Sequence, residues 1–176
     1  TTRIWKISTG ELLQVLPSCK PHAYQVPVAF SSNEVYVLVS SNVETVTMWS
    51  TEFGHSVWTF KHPKPLYTAE FSNDTSIVAT CSDDNTAMIW DTGTGCCRLV
   101  MEGHESSVIS AEFSFDDKRL LTASLDNSAK IWDSSSGICI YTLGVPHANS
   151  FYSMTVAHFS ADCKKVLTVS EKGEVN

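Results

Sequence analysis

The sequence has no long apolar segment and few basic residues, and both absences argue against whole classes of function. No hydrophobic run approaches the roughly 20 residues that a membrane-spanning helix needs, and the opening TTRIWKISTG lacks the apolar centre of a secretory signal. Twelve Lys and Arg residues stand against nineteen Asp and Glu, a formal net charge of −7. Because nucleic-acid affinity depends on a basic face, a nucleic-acid partner is disfavoured. Membrane insertion is disfavoured because a long apolar run is lacking. The default expectation is a cytoplasmic protein, although a targeting signal could lie outside this segment.

Cysteines at metal-binding or redox spacing are also lacking. The chain has six cysteines, and none of them forms a C-x-x-C pair. They are Cys19, Cys81, Cys96, Cys97, Cys139 and Cys163. We interpret them as small hydrophobic residues in a reducing compartment. The spacing of His147, His158 and Cys163 matches no standard zinc site, so the sequence predicts neither a metal nor a cofactor.

Helical periodicity is absent, and a long repeat takes its place. A tryptophan returns after 44, 41 and 42 residues, a glycine follows each tryptophan by five positions, and Phe-Ser pairs recur in the same period. The markers are Trp5, Trp49, Trp90 and Trp132; Gly10, Gly54, Gly95 and Gly137; and Phe30, Phe71, Phe113 and Phe159. Self-similarity at such a period indicates an array of repeated structural units.

Each period contains four short segments with strand character. In the best-preserved unit these are VISAEF, RLLTAS, SAKIWD and ICIYTL, which lie between residues 108 and 143 and are separated by polar turns. Short apolar runs bounded by turn residues predict buried strands. The glycine after each tryptophan suits a hairpin bend with a positive φ. The sequence therefore predicts an all-β fold.

Two near-copies within the chain raise the question of catalysis. CSDDNTAMIWD (81–91) and ASLDNSAKIWD (123–133) share a Ser, an Asp two positions later and a Trp six positions after that. A His precedes each Ser by 20 residues. A Ser–His–Asp catalytic group is normally a single constellation. Because two such sets stand on consecutive repeats, a structural role is favoured over a hydrolase that uses His104, Ser124 and Asp126.

These markers together resemble the WD-repeat family of β-propellers. One unit matches the family's order and spacing through Gly103-His104, Phe113-Ser114, Ser124, Asp126 and Trp132-Asp133. The preceding unit matches through His62, Phe71-Ser72, Ser82, Asp84 and Trp90-Asp91. The resemblance covers essentially the whole chain, and it implies blades of four antiparallel strands around a central channel.

The resemblance also implies a structural hydrogen-bond network in each complete blade, in which the Trp N–H donates to the Ser hydroxyl, followed by His and Asp. The expected members are His62, Ser82, Asp84 and Trp90 in one blade, and His104, Ser124, Asp126 and Trp132 in the next. The flanking units are incomplete, because Val43 and Lys172 replace the Asp. We expect their blades to be softer than the two central ones.

The repeat spacing predicts one domain, 1–176, that contains three whole blades and two part-blades. The whole blades are expected at 22–60, 62–101 and 104–143, and the part-blades at 1–16 and 147–176. Open blade faces would expose apolar surface and unpaired strand edges. We therefore expect a fragment or sector of a larger propeller, seven-bladed as the resemblance implies, within a longer chain or a larger complex. Completion by a further copy is the alternative.

The resemblance implies partner contacts at the entry to each innermost strand, six and four residues before the Phe of Phe-Ser. These positions are Tyr24, Val26, Pro65, Tyr67, Ser107, Ile109, Ser153 and Thr155. A three-residue insertion adds Phe151 and Tyr152 as a second candidate contact. Exposed aromatic residues often anchor interfaces, which favours Tyr24 and Tyr67. Val26 and Ile109 can equally well line the core.

No enzyme motif stands out, and the resemblance implies a non-enzymatic scaffold that presents its rim loops to protein or peptide partners. A fold by itself does not fix a function. The alternative is a regulatory or targeting domain of a multidomain enzyme or signalling protein whose catalytic part lies outside this segment. A catalytic motif in the flanking sequence would favour that alternative.

Overall fold

The computed structural model describes residues 1–16, 28–144 and 152–172, with the backbone alone described at 152–155 and 171–172. All regular structure in these ranges is β-strand, which confirms the predicted fold class. The strands are β1 Thr2–Lys6, β2 Glu11–Leu16, β3 Val28–Phe30, β4 Tyr36–Asn42, β5 Thr45–Ser50, β6 Ser56–Lys61, β7 Leu66–Phe71, β8 Ile77–Ser82, β9 Ala87–Asp91, β10 Cys97–Met101, β11 Val108–Phe113, β12 Arg119–Ser124, β13 Ser128–Asp133, β14 Cys139–Gly144, β15 Tyr152–Phe159 and β16 Val166–Lys172. The same ranges contain no helix long and apolar enough to cross a membrane.

The strands form antiparallel sheets in chain order. Three sheets have four strands each, β3–β6, β7–β10 and β11–β14, and two have two strands each, β1–β2 and β15–β16. Every strand pairs with its neighbour in the sequence, so each four-stranded sheet is a meander. This strand order is that of a propeller blade.

The first strands of successive sheets lie side by side. β3 contacts β7, β7 contacts β11, and β11 contacts β15. Burial follows this order, since β8 is buried along its whole length, whereas β10 and β14 are largely exposed. A strand that lies between two packed sheets is covered on both faces, which explains why the inner segments read as continuous apolar runs.

Hydrophobic cores fill the spaces between successive sheets. The core between β7–β10 and β11–β14 combines Ile77, Ile89 and Met101 from one sheet with Phe113 and Leu120 from the next. Similar clusters join the other neighbouring sheets. Each blade therefore depends on the next one to bury its apolar face, as expected of a repeat architecture.

The Phe-Ser marker specifies the first hairpin of a blade. In the β7–β8 hairpin the Ser72 hydroxyl donates to Asp74 Oδ1 at 2.7 Å, and Thr75 has a φ of +65°. Asp117 and Cys163 occupy the same positive-φ position in their own hairpins. Local hydrogen bonds from the Ser and Asp side chains to the turn stabilise this tight bend.

The repeated glycine serves the third hairpin of each blade and, at Gly95, also the packing against the ring of the preceding sheet. Gly95 and Gly137 have φ values of +72° and +73°. A Cβ atom on Gly95 would lie 2.5 Å from the ring of Trp58 on β6, whereas one on Gly137 would lie 3.6 Å from Leu99 on β10. Trp58 also donates from Nε1 to the Thr92 carbonyl at 2.9 Å. Gly95 is therefore required by its neighbour as well as by its turn.

Candidate functional site

A chain of three hydrogen bonds crosses the sheet β7–β10. The Trp90 indole Nε1–H donates to Thr80 Oγ1 at 2.8 Å, and Thr80 Oγ1 lies 2.7 Å from His62 Nε2. His62 Nδ1 lies 2.9 Å from Asp84 Oδ2. An ionised carboxylate can only accept, so Nδ1 carries the imidazole proton and the Thr80 hydroxyl donates to Nε2. The order of donors and acceptors is thereby fixed from the indole to the carboxylate.

The sheet β11–β14 repeats this geometry. The Trp132 Nε1–H donates to Thr122 Oγ1 at 2.9 Å, and Thr122 Oγ1 lies 2.8 Å from His104 Nε2. His104 Nδ1 lies 2.8 Å from Asp126 Oδ2 and 3.2 Å from Ser128 Oγ. A buried polar chain is stabilising when all of its members are paired, and both chains meet that condition.

Burial controls the charge of the two imidazoles. It lowers the pKa of His62 and of His104, and the hydrogen bonds and charges of their carboxylate partners oppose this effect only in part. Burial would raise the pKa of Asp84, but hydrogen bonds from Thr86 and His62 lower it overall. Each pair is therefore a neutral imidazole beside an ionised carboxylate at neutral pH.

The predicted place of the serines in these chains is wrong. Ser82 Oγ instead donates to the Lys64 carbonyl at 3.1 Å. The cross-strand register explains the difference, because Val78 lies opposite Trp90 and Thr80 is therefore the diagonal neighbour of the indole. Ser82 lies two residues beyond Thr80 on β8.

Ser124 is displaced from its predicted place in the same way. Its hydroxyl donates to the Ser106 carbonyl at 3.0 Å, and His104 Nε2 is bonded to Thr122. His104, Ser124 and Asp126 therefore lack the nucleophile–base hydrogen bond of a catalytic triad. The available sequence signal was a threonine ten residues before the tryptophan in both complete repeats.

The sheet β3–β6 does not repeat the chain seen in its neighbours. Val39 stands ten residues before Trp49, where the other two sheets have threonine. Within the described ranges the buried Trp49 Nε1 has no hydrogen-bond partner. The hydroxyl groups of Ser41, Thr47 and Thr59 form a separate chain, with distances of 2.8 Å and 3.0 Å.

At the entry to the inner strands, one carboxylate joins two blades. Asp83 Oδ1 accepts from Ser107 Oγ at 2.5 Å and from Tyr67 OH at 3.3 Å. Tyr67 lies on β7, in the same blade as Asp83, whereas Ser107 precedes β11 of the next blade. Sequence reasoning missed Asp83 because Leu125 occupies the equivalent position in the next repeat.

The structure describes the side chains of four of the ten predicted contact residues. Pro65, Tyr67 and Ile109 are half-buried, and Ser107 is 8% exposed, with its hydroxyl held by Asp83. Asp83 thus brings Tyr67 and Ser107 together at the edge where two blades meet. Six predicted contact residues lie outside the described side chains: Tyr24, Val26, Phe151, Tyr152, Ser153 and Thr155.

In the part of the chain that the structure describes, no group of three or more His, Cys, Asp or Glu residues is placed to hold a metal ion. His158 Nδ1 lies 3.2 Å from Glu112 Oε2, and Cys163 Sγ accepts from the Phe115 amide at 3.3 Å. Both residues thus have protein partners. His147 lies outside the described residues.

Comparison with known proteins matches the described blades to one family. The WD domain, G-beta repeat family matches residues 54–91 and 95–133. Each match begins at a repeated glycine, Gly54 or Gly95, and ends on the Trp-Asp pair. It therefore covers the outer strand of one sheet and the first three strands of the next. A similar curated protein is Protein tipD of Dictyostelium discoideum, 32% identical over 96 residues. That stretch covers 54% of this chain and 15% of the relative's length.

Proposed function

Because the chain belongs to the WD-repeat family of β-propellers, we propose that it is a non-enzymatic scaffold that binds a protein or peptide at the entry end of its inner strands. The observation that carries this proposal is the contact of Tyr67 and Ser107 with Asp83 across two blades. A side chain that is already fixed loses little conformational entropy when a partner binds. An aromatic ring held in this way is suited to anchor an interface.

The charge of the chain indicates which partner surfaces it favours. With a formal net charge of −7, it repels acidic surfaces and attracts basic ones. Asp83 and Glu105 add negative charge near the candidate rim. The proposed partner is therefore a protein or peptide rather than a nucleic acid.

Site-specific photocrosslinking in the native cell tests this surface. A benzoylphenylalanine replaces Tyr67 in one variant and Tyr141 in the other, since Tyr141 is an exposed tyrosine on the outer strand β14. We expect crosslinks to a partner from position 67 and not from position 141. Equal crosslinking from both positions would show that the rim is not selective.

Affinity measurements on the captured partner then test the role of the side chain. Tyr67→Ala should weaken binding at least tenfold, as expected for an interface anchor. Tyr67→Phe keeps the ring but removes the contact with Asp83, so a smaller loss is expected. Unchanged affinity in both variants, with the fold intact, would place the binding surface elsewhere.

A second candidate function is regulation or targeting of an enzyme by these blades. The matched stretch is only 15% of the length of the Dictyostelium relative, so blades similar to these occur within a much longer polypeptide. Sequencing of the native polypeptide on both sides of residues 1–176 tests it. A catalytic domain in the same polypeptide would support regulation, and its absence would leave the scaffold alone.

A further inference from the structure

A cavity lies at the opposite end of the inner strands from Tyr67. Its volume is about 380 Å³, and hairpins from three successive blades surround it. Glu70 and Glu112 line it from the inner strands β7 and β11, and Phe115 and Cys163 from the hairpins. This cavity is separate from the rim surface proposed above, so the two can be tested independently.

The two glutamates are held in equivalent positions, each directly before the Phe of a Phe-Ser pair. Glu112 Oε2 accepts from the Phe159 amide at 2.9 Å and from His158 Nδ1 at 3.2 Å. The Phe113 amide interacts with Glu70 and lowers its pKa in part. Each carboxylate thus reaches the inner strand of the next blade. Glu112 Oε1 has no hydrogen-bond partner among the described residues.

The cavity holds more negative charge than its lining compensates. Of the residues described, no Lys or Arg lines it. Burial, followed by the charge of Glu112, raises the pKa of Glu70 to about 7, and Asp117 adds to this effect. The facing His158 side chain is largely exposed. A cation from outside the chain would relieve the repulsion between the carboxylates.

An exposed aromatic ring stands beside this charge. Phe115 is 80% exposed, although its amide is tied to Cys163 Sγ at 3.3 Å. A lysine or arginine side chain suits such a place, because its aliphatic stem can pack on the ring while its cationic group pairs with the carboxylates.

We propose that this cavity receives a lysine or arginine side chain from a basic segment of a partner protein. The occupant is a different protein, because a second copy of this chain, with its net charge of −7, would be repelled. Arginine fits better than lysine, since its planar head offers several donors in a fixed geometry for the carboxylates of Glu70 and Glu112.

Titration with defined peptides, followed by NMR of the ¹⁵N-labelled protein, tests the proposal. The probes are capped pentapeptides with one central arginine, lysine or citrulline, each added to about 20 mM because single side chains bind in the millimolar range. We expect saturable shifts of the Phe113 and Phe159 amides with arginine, weaker shifts with lysine, and none with citrulline. Equal shifts with citrulline, or none with arginine, would overturn the proposal.

Two variants and one control separate the site from its surroundings. Glu112→Gln should weaken arginine binding at least tenfold, while Glu102→Gln, an exposed glutamate outside the cavity, should leave it unchanged. Because Glu112 also holds the Phe159 amide, Phe115→Ser provides a second variant on an exposed ring and should weaken binding severalfold. Full binding in both cavity variants would overturn the proposal.

Proton linkage and metal controls complete the test. Arginine binding should be tighter at about pH 8 than at about pH 6, because Glu70, with a pKa raised to about 7, is then ionised and can pair with the cation, and Glu70→Gln should remove most of this gain. Magnesium chloride replaces the peptides in a parallel titration. The same saturable shifts with magnesium would identify a cation site in place of a side-chain pocket.

Discussion

Replacing Gly95 by alanine should destabilise the protein more than the same change at Gly137, although both glycines occupy equivalent turns. The backbone contribution is matched, since φ is +72° at Gly95 and +73° at Gly137. The packing contribution differs. A Cβ at Gly95 would stand 2.5 Å from the Trp58 ring, while at Gly137 the nearest atom is Leu99 Cδ2 at 3.6 Å, an ordinary contact.

The two contributions set the expected magnitudes. A side chain in the left-handed region costs about 1–2 kcal/mol, and this alone applies to Gly137→Ala. Overpacking adds about 1–3 kcal/mol at Gly95, which brings the total to roughly 2–5 kcal/mol. Trp58 cannot simply turn away, because its Nε1–H donates to the Thr92 carbonyl at 2.9 Å.

Urea unfolding of the two variants, followed by tryptophan fluorescence, measures the difference. The free energies of unfolding should differ by at least about 1 kcal/mol at equal slope. The Trp58→Leu background provides the control, since removing the ring should bring the two alanine variants together. A difference below about 0.5 kcal/mol in the native background, or one that persists after Trp58→Leu, would refute the packing argument.

Three further predictions concern polar groups in the blades. Thr80→Val should reduce the free energy of unfolding by about 2–4 kcal/mol, because the Trp90 indole and the His62 imidazole both lose their hydrogen-bond partner. Ser82→Ala should reduce it by only about 1 kcal/mol, and urea unfolding of both variants measures the difference. Val39→Thr should cost less than the usual 1–3 kcal/mol or so for a buried hydroxyl, because Trp49 Nε1 is available to donate, and thermal unfolding checks this. Burial raises the folded-state pKa of Glu70 to about 7, above its ordinary value of 4.5, so the wild type should gain roughly 1–3 kcal/mol of stability over Glu70→Gln as the pH falls from about 8 to about 5. If the two unfold with the same pH profile, the raised pKa is wrong.

Features that repeat within one blade could be predicted from the sequence. The Phe-Ser marker encodes a local turn, in which Ser72 and Asp74 bond to each other, and that chemistry needs no partner from elsewhere in the chain. The repeated tryptophans and glycines likewise mark strands and bends. The all-β class and the family are confirmed for this reason, by the strands and by the matches at 54–91 and 95–133.

Features that depend on strand register were harder to predict. Thr80 and Ser82 lie on the same face of β8, and only the pairing of Val78 with Trp90 decides which hydroxyl the indole reaches. Exposure depends on register and layer as well. Cys81 on an inner strand is buried, whereas Cys96, Cys97 and Cys139 lie exposed at the outer edge, and all four are free thiols.

Contacts between blades could not be predicted, because they occur where the repeats differ. The position before the Phe of each Phe-Ser pair is Ala29, Glu70, Glu112 and His158 in turn. A glutamate there reaches an amide of the next blade, but an alanine cannot, so one position has different consequences along the array. Asp83 is another such case, since the next repeat has Leu125 in its place. The shared markers specify the blade, and it is the unshared residues at both ends of the inner strands that give this propeller surfaces of its own.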